Sequence, residues 1–325
     1  MRPGLTPGWL LVSVLSAAAC ALPIHAQVPP RVERCLPWPT LGQELENFRK
    51  EVRALEKLPP PRRIQIKEVV IQGATQMPQS VQRELIETLK KRTFEDQGNK
   101  WIEEIQEIDA RAVWQNHGYF TVQVSVKTDV ETVAPELTRA KLTIHVEEGL
   151  QYRLGKLTFK NTADDFLAFP HETLRKMIPL REGEIFNIEK IRLGLEALGR
   201  LYGSKGYIDF TPEPDTEIDK SRQQISLILW LNEQRQYVIG DVEVLGLVPH
   251  LERELRSKLL PGEVFNALVI DEFFEANKAA LPADALREYT AEIKRDLEKL
   301  VVDLRFDFRN CAQILGLDRP RTRNP

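Results

Sequence analysis

At 325 residues the chain is long enough for two or three small domains, and 42% hydrophobic with 29% charged residues is a composition that buries a core. Lys plus Arg number 45 against 48 Asp plus Glu, a formal net charge of -3. No basic excess marks a nucleic-acid surface, so no nucleic-acid partner is expected.

In chain order, Arg2 precedes an apolar run from Trp9 to Leu22, then the helix breaker Pro23 and a small residue at Ala26. That order predicts a secretory signal peptide over residues 1–26, its apolar core too short for a comfortable membrane span. The stretch Ala17–Cys20 resembles a lipoprotein signal, which leaves lipidation of Cys20 as a rival processing route. No later run reaches the length of a membrane helix, so the mature chain is expected to be exported and to carry no transmembrane segment. Cys35 and Cys311 are the cysteines left after Ala26; a disulfide between them and two separate thiols are both open.

Residues 27–63 hold a proline-rich start, a helical pattern and a second proline cluster. Leu41, Leu45, Phe48, Val52, Leu55 and Leu58 fall three or four apart, so the stretch 41–58 reads as one amphipathic helix that needs a surface to lie on. Pro59, Pro60 and Pro61 end it with a stiff spacer.

Beyond the spacer the chain repeats itself. Val146–Phe159 aligns with Leu231–Val244, matching Glu148 with Glu233, Tyr152 with Tyr237 and Gly155 with Gly240. Glu182–Asn187 aligns with Pro261–Asn266, and the Gly118-Tyr119 pair recurs as Gly206-Tyr207. Three units follow, read as residues 64–149, 150–235 and 236–312, with a polar tail over 313–325. Each begins with an alternating strand: Ile66–Gly73, Arg153–Asn161 or Val238–Gly246. A first helix starts near Pro78, Pro170 or Pro249, where the missing N–H costs nothing. A second helix carries Ile105, Ile108 and Ala112 in the first unit and Ile188, Ile191, Leu195, Leu198 and Leu201 in the second. Asn187 and Asn266 stand where they can cap it, and Gly118 and Gly206 stand where it must stop. Two more strands complete a β-α-α-β-β unit, an α+β fold of three strands covered by two helices.

This order resembles the POTRA (polypeptide transport-associated) domain family. The second unit carries the resemblance best, with Gly183, Phe186, Leu198, Tyr202, Gly206 and Tyr207. The first keeps Gly118 and Tyr119 with Trp114 in place of the earlier tyrosine. The third keeps Gly262 and Phe265, then departs through Phe273, Phe274 and Pro282 without a Gly-Tyr, its last strands expected over Tyr289–Arg295 and Val301–Arg309. The resemblance covers Ile64 to Arg309 and implies three tandem domains in the periplasm, associated with the outer membrane. It further implies a role in outer-membrane protein assembly or secretion, through outer-membrane β-barrel or assembly-machinery proteins and unfolded client chains. In the family such domains precede a barrel; this chain ends soon after the third unit without barrel strands. By the same resemblance the second strand of a unit is the edge that adds a client strand, and Phe120, Val122, Val124 and Val126 are the candidate positions.

Catalytic patterns are lacking. His117, His145, His171 and His250 have no metal spacing, no glycine-rich phosphate loop follows a strand, and no nucleophile elbow occurs. No cofactor, metal or catalytic residue is expected. Trp101, Trp114, Phe120, Tyr207 and Trp230 read as core packing. An envelope-organisation or cell-division scaffold is the alternative of a different class, and a hydrolase of envelope polymers would need a constellation the sequence does not contain.

Overall fold

The computed structural model describes residues 62–309 apart from 97, 164–165, 283–284 and 286. The signal sequence, Cys20, Cys35, Cys311, the 41–58 pattern and the 313–325 tail lie outside the described residues.

Three α+β units follow one another. The first holds β1 (Arg63–Gln72), α1 (Gln79–Lys91), β2 (Thr93–Glu95), a second helical run, β3 (Gln123–Ala134) and β4 (Leu137–Glu147). The second holds β5 (Arg153–Asn161), helices His171–Met177 and Ile188–Gly203, β6 (Thr211–Asp219) and β7 (Gln224–Asn232). The third holds β8 (Val238–Leu245), helices Pro249–Ser257, Leu268–Ala276 and Arg287–Thr290, β9 (Ala291–Asp296) and β10 (Val301–Asp307). The last strand of each unit is central, parallel to the first and antiparallel to the second. A parallel neighbour needs a crossover, and the helix pair supplies it. The first sheet differs from the expected three strands: β2 adds a fourth, pairing Thr93–Glu95 with Arg63–Gln65. At the same place the later units make single bridges, Arg153 with Ile185 and Val238 with Val264.

Alternation places each core. Along β7, Ile225, Leu227, Leu229 and Leu231 are fully buried beneath the helices, and each unit encloses its own cluster. Helix starts follow the prolines: Pro78 and Pro170 occupy the cap, and Pro249 opens its helix. The Asn187 side chain accepts from the Lys190 N–H at 2.8 Å.

The second helical run of the first unit departs from the expected period. It comprises α2 (Lys100–Glu104), a π-helical stretch (Ile105–Arg111) and α3 (Ala112–Gln115). The wider π turn takes up an extra residue, so the buried positions are Trp101, Ile105, Ala110 and Trp114. Ile108, expected inside, is 67% exposed.

Candidate binding edge and the joints between units

Each second strand, β3, β6 and β9, bonds to one neighbour and leaves its other side as a sheet edge. Exposed edges invite strand addition unless they are guarded. β6 carries Pro212 and Pro214, which cannot donate, and β9 is six residues long with Glu292, Lys294, Arg295 and Asp296 among them. β3 runs for 12 residues without a proline. From Lys127 to Val133 its side chains are exposed, apart from a half-buried Thr128, and Val130 is 55% exposed. It is the least guarded of the three.

The candidate side chains on this edge do not line a surface. Val122 precedes β3 and is buried with Val124 in the first core, and Val126 packs against that core. Phe120 packs on the second unit, its ring edge-on to Phe186 at 5.5 Å. What β3 offers outward is backbone.

The Gly-Tyr turns stand at the joints. Gly118 has φ 86° and Gly206 has φ 82°, a backbone that glycine adopts without strain. The Gly118 carbonyl accepts from the Tyr152 N–H at 2.8 Å, and the Gly206 carbonyl from the Tyr237 N–H at 3.0 Å. A Cβ on Gly118 would lie 2.7 Å from Ile185 Cγ2, and one on Gly206 2.6 Å from the Tyr237 carbonyl oxygen. Gln151 and Gln236 repeat a side-chain bond to the carbonyls of His117 and Lys205, both at 2.9 Å. Asn116 reinforces the first joint, accepting from the Glu189 N–H at 2.9 Å while its carbonyl takes Asn187 Nδ2 at 2.7 Å. The second joint adds an ion pair from Asp209 to Arg295 on β9, with the Tyr237 hydroxyl donating to Asp209 at 2.8 Å.

The remaining motif residues are internal. Gly183 and Gly262 hold φ 83° and 85° in open turns, while Phe186 and Phe265 are buried behind them. Tyr119 is buried and Tyr207 half-buried. Tyr202 stacks on Phe210 with centroids 3.8 Å apart. Its hydroxyl donates to Glu233; burial and then that bond push the phenol pKa well above its ordinary range.

Glu148 and Glu233, matched by the repeat but given no role there, tie the ends of β4 and β7 to the loops entering the first helix of their units. Glu148, 5% exposed, accepts from the N–H groups of Thr75, Gln76 and Met77 and from the Trp114 indole. Burial pulls its pKa upward, but these donors outweigh burial and hold it below the ordinary value. Glu233 accepts from the Ala168 N–H, Asn161 and Tyr202. Among the described residues no cluster of His, Cys, Asp and Glu has the grouping to hold a metal, and no helix is long and apolar enough to cross a membrane.

One correction concerns Trp230. It lies on the face of the second sheet away from the helices, half-buried, beneath Lys160 Nζ at 4.7 Å, and outside the core cluster. β7 alternates its core leucines with this outward row, and Trp230 falls on the outward parity.

Fold and joints define a string of small α+β units coupled end to end through a repeated turn. The profile of the POTRA family, described as a surface antigen variable number repeat, matches residues 64–149 and 152–234, more than half of the chain, which therefore belongs to that family. Over 180 residues the chain is 26% identical to a Treponema pallidum protein named for outer membrane protein assembly, covering 51% of this chain and 20% of that protein. Over 159 residues it is 22% identical to the outer membrane protein assembly factor BamA of Buchnera aphidicola, covering 48% and 25%. The match thus spans a fifth to a quarter of the length of these relatives. The crystal structure of Haemophilus influenzae BamA POTRA3-5 superposes with a TM-score of 0.55 at 18% identity, covering 77% of this chain and 98% of that one. That likeness is one of fold.

Proposed function

We propose that the chain is a non-catalytic periplasmic scaffold for outer-membrane protein assembly or secretion. It holds unfolded client chains and barrel or accessory proteins, partly by adding a client strand to β3. The observation that carries this reading is the contrast among the edges: β3 is long and free of proline, whereas β6 carries two prolines and β9 is short and charged. An edge of backbone donors and acceptors pairs with an extended chain whatever its side chains are, which suits a client that has not folded. The relatives named for outer membrane protein assembly support the same setting. The three units, bounded near residues 149 and 235, act in this reading as a coupled arm.

The test places a photo-crosslinking residue at Glu131 on β3 and, separately, at Glu213 on β6 in the exported chain. Mass spectrometry of products from intact cells is expected to recover outer-membrane barrel or assembly proteins from Glu131 in excess over Glu213. Recovery of division or cell-wall proteins alone would overturn the reading.

A further inference from the structure

Glu148 and Glu233 occupy matched places in the first two units, but the stretches that lead into the helices beside them differ. In the first unit residues 73–78 join β1 to α1 and close round the carboxylate. Glu148 Oε2 accepts from the Thr75 and Gln76 N–H groups and the Thr75 hydroxyl, and Oε1 from the Met77 N–H and the Trp114 indole, all at 2.7–3.1 Å. In the second unit the corresponding stretch is longer, residues 162–170, and among its described residues only Ala168 donates an N–H to the carboxylate. That N–H is shared between both oxygens of Glu233, at 3.0 and 3.1 Å. Oε1 also takes the Tyr202 hydroxyl, whereas Oε2 has only Asn161 Nδ2 besides, at 3.3 Å. That is longer than the roughly 2.7–3.2 Å of an ordinary N–H···O bond. An ionised carboxylate accepts about four hydrogen bonds, so Oε2 is short of a full donor. Among the described residues Glu233 has no cationic partner.

Glu233 lines a cleft of about 450 Å³ together with Phe166, Leu167, Tyr207 and Arg235. The carboxylate is 9% exposed, Phe166 is 83% exposed, and Leu167 and Tyr207 are half-buried. A buried anion favours an opposite charge that also donates hydrogen bonds, aromatic rings attract cations, and apolar walls cover an alkyl stem. A primary ammonium on a flexible stem meets all three conditions. Its three donors need no fixed plane, whereas the guanidinium of arginine is a planar fork that suits two acceptors side by side. Here Oε1 already holds the Tyr202 hydroxyl, so one oxygen is on offer. Arg235, exposed on the same cleft, opposes an incoming cation by its like charge.

We infer that this cleft binds a lysine side chain presented by a partner polypeptide, its ammonium donating to Glu233 Oε2 and its stem lying against Phe166, Leu167 and Tyr207. The binding is independent of strand addition at β3, because it uses side chains of the second unit and not an edge of the first.

The test titrates the full exported chain, labelled with nitrogen-15, with the peptide acetyl-Ala-Ala-Lys-Ala-Ala-amide and with its norleucine counterpart, which keeps the stem and lacks the ammonium. Amide shifts are expected at Ala168, Glu233 and Arg235 with the lysine peptide, and none at Thr75, Gln76 and Met77 around Glu148. The norleucine peptide should bind at least about tenfold more weakly, through loss of a charged hydrogen bond. Phe166→Ala removes an exposed ring, so it should leave the thermal melt unchanged and weaken binding of the lysine peptide about two- to fivefold. Arg235→Gln should tighten it about twofold. Glu233→Gln should abolish the shifts, and the two variants at exposed positions decide the matter if that chain fails to fold. Equal binding of the two peptides, shifts confined to other residues, no shifts at all, Phe166→Ala binding as well as the parent, or weaker binding in Arg235→Gln would each overturn the inference.

Discussion

The carbonyl of Gly118 accepts a hydrogen bond from the N–H of Tyr152 in the next unit, and at the next joint Gly206 and Tyr237 repeat the bond. Each glycine thus ends a helix and seats the following domain in the same turn. The positive φ frees the carbonyl to point across the joint, and the missing Cβ lets the Tyr backbone close in.

Gly118→Ala is expected to loosen the first joint, at a cost of about 1–3 kcal/mol, because the added Cβ meets Ile185 and the Tyr152 carbonyl oxygen at 2.7 and 2.8 Å in a backbone that disfavours L-residues. Small-angle scattering should report a broader distribution of lengths, and protease should cut faster between residues 147 and 153. An unchanged profile in both would show that the joint is held elsewhere. Gly183→Ala is the comparison, since it shares the positive φ but has open space around it, and it should leave the joint intact.

The repeat made the fold legible, because strand alternation, helix-start prolines and Gly-Tyr turns recur in the same order in matched units. It also marked Tyr152, Tyr237, Glu148 and Glu233 as matched positions. Their work was hidden because it joins residues more than 30 apart, which no local period reports. The π-helical turn was hidden for a different reason: its wider ring breaks the 3.6-residue spacing on which the pattern of Ile105, Ile108 and Ala112 rests. Trp230 sits in the unbroken apolar run Leu227–Leu231, and composition alone does not tell which parity of β7 faces the helices. The candidate edge was legible as a strand, but the alternation of Phe120, Val122, Val124 and Val126 reports the row that packs on the cores, and no side-chain pattern reports how far the unpaired backbone of β3 runs beyond it.

The register of the π-helical run gives its own test. Ile108→Ser should change stability by less than about 0.5 kcal/mol, as expected for an exposed position, whereas Ile105→Ala should cost about 2–5 kcal/mol by opening a cavity in a fully buried site. Urea denaturation of the two variants separates the readings. Equal losses would restore the regular helix expected from spacing.

Tyr202→Phe isolates one hydroxyl. The ring keeps its stack on Phe210 and its edge contact with Tyr207 at 5.7 Å, but Glu233 loses the hydroxyl donor. A loss of about 1–3 kcal/mol is expected from leaving a buried acceptor short of a partner. Thermal melts of the full chain read this directly, and a neutral result would mean that solvent replaces the hydroxyl.

Glu148 couples stability to pH. Its folded pKa lies below the ordinary 4.5, because the Thr75, Gln76, Met77 and Trp114 donors outweigh burial. A group with a depressed folded pKa binds fewer protons when folded, so its stabilisation is complete above pH 4.5 and fades as pH falls through the lower folded value. Glu148→Gln should therefore destabilise the chain by about 2 kcal/mol at neutral pH, since a neutral amide accepts more weakly and brings N–H groups into a site already filled with donors. The difference from the parent chain should shrink on acidification below pH 4.5. Urea titrations from pH 7 to pH 3 measure it, and a difference that stays constant across that range would show that the charge of Glu148 does not hold the loop.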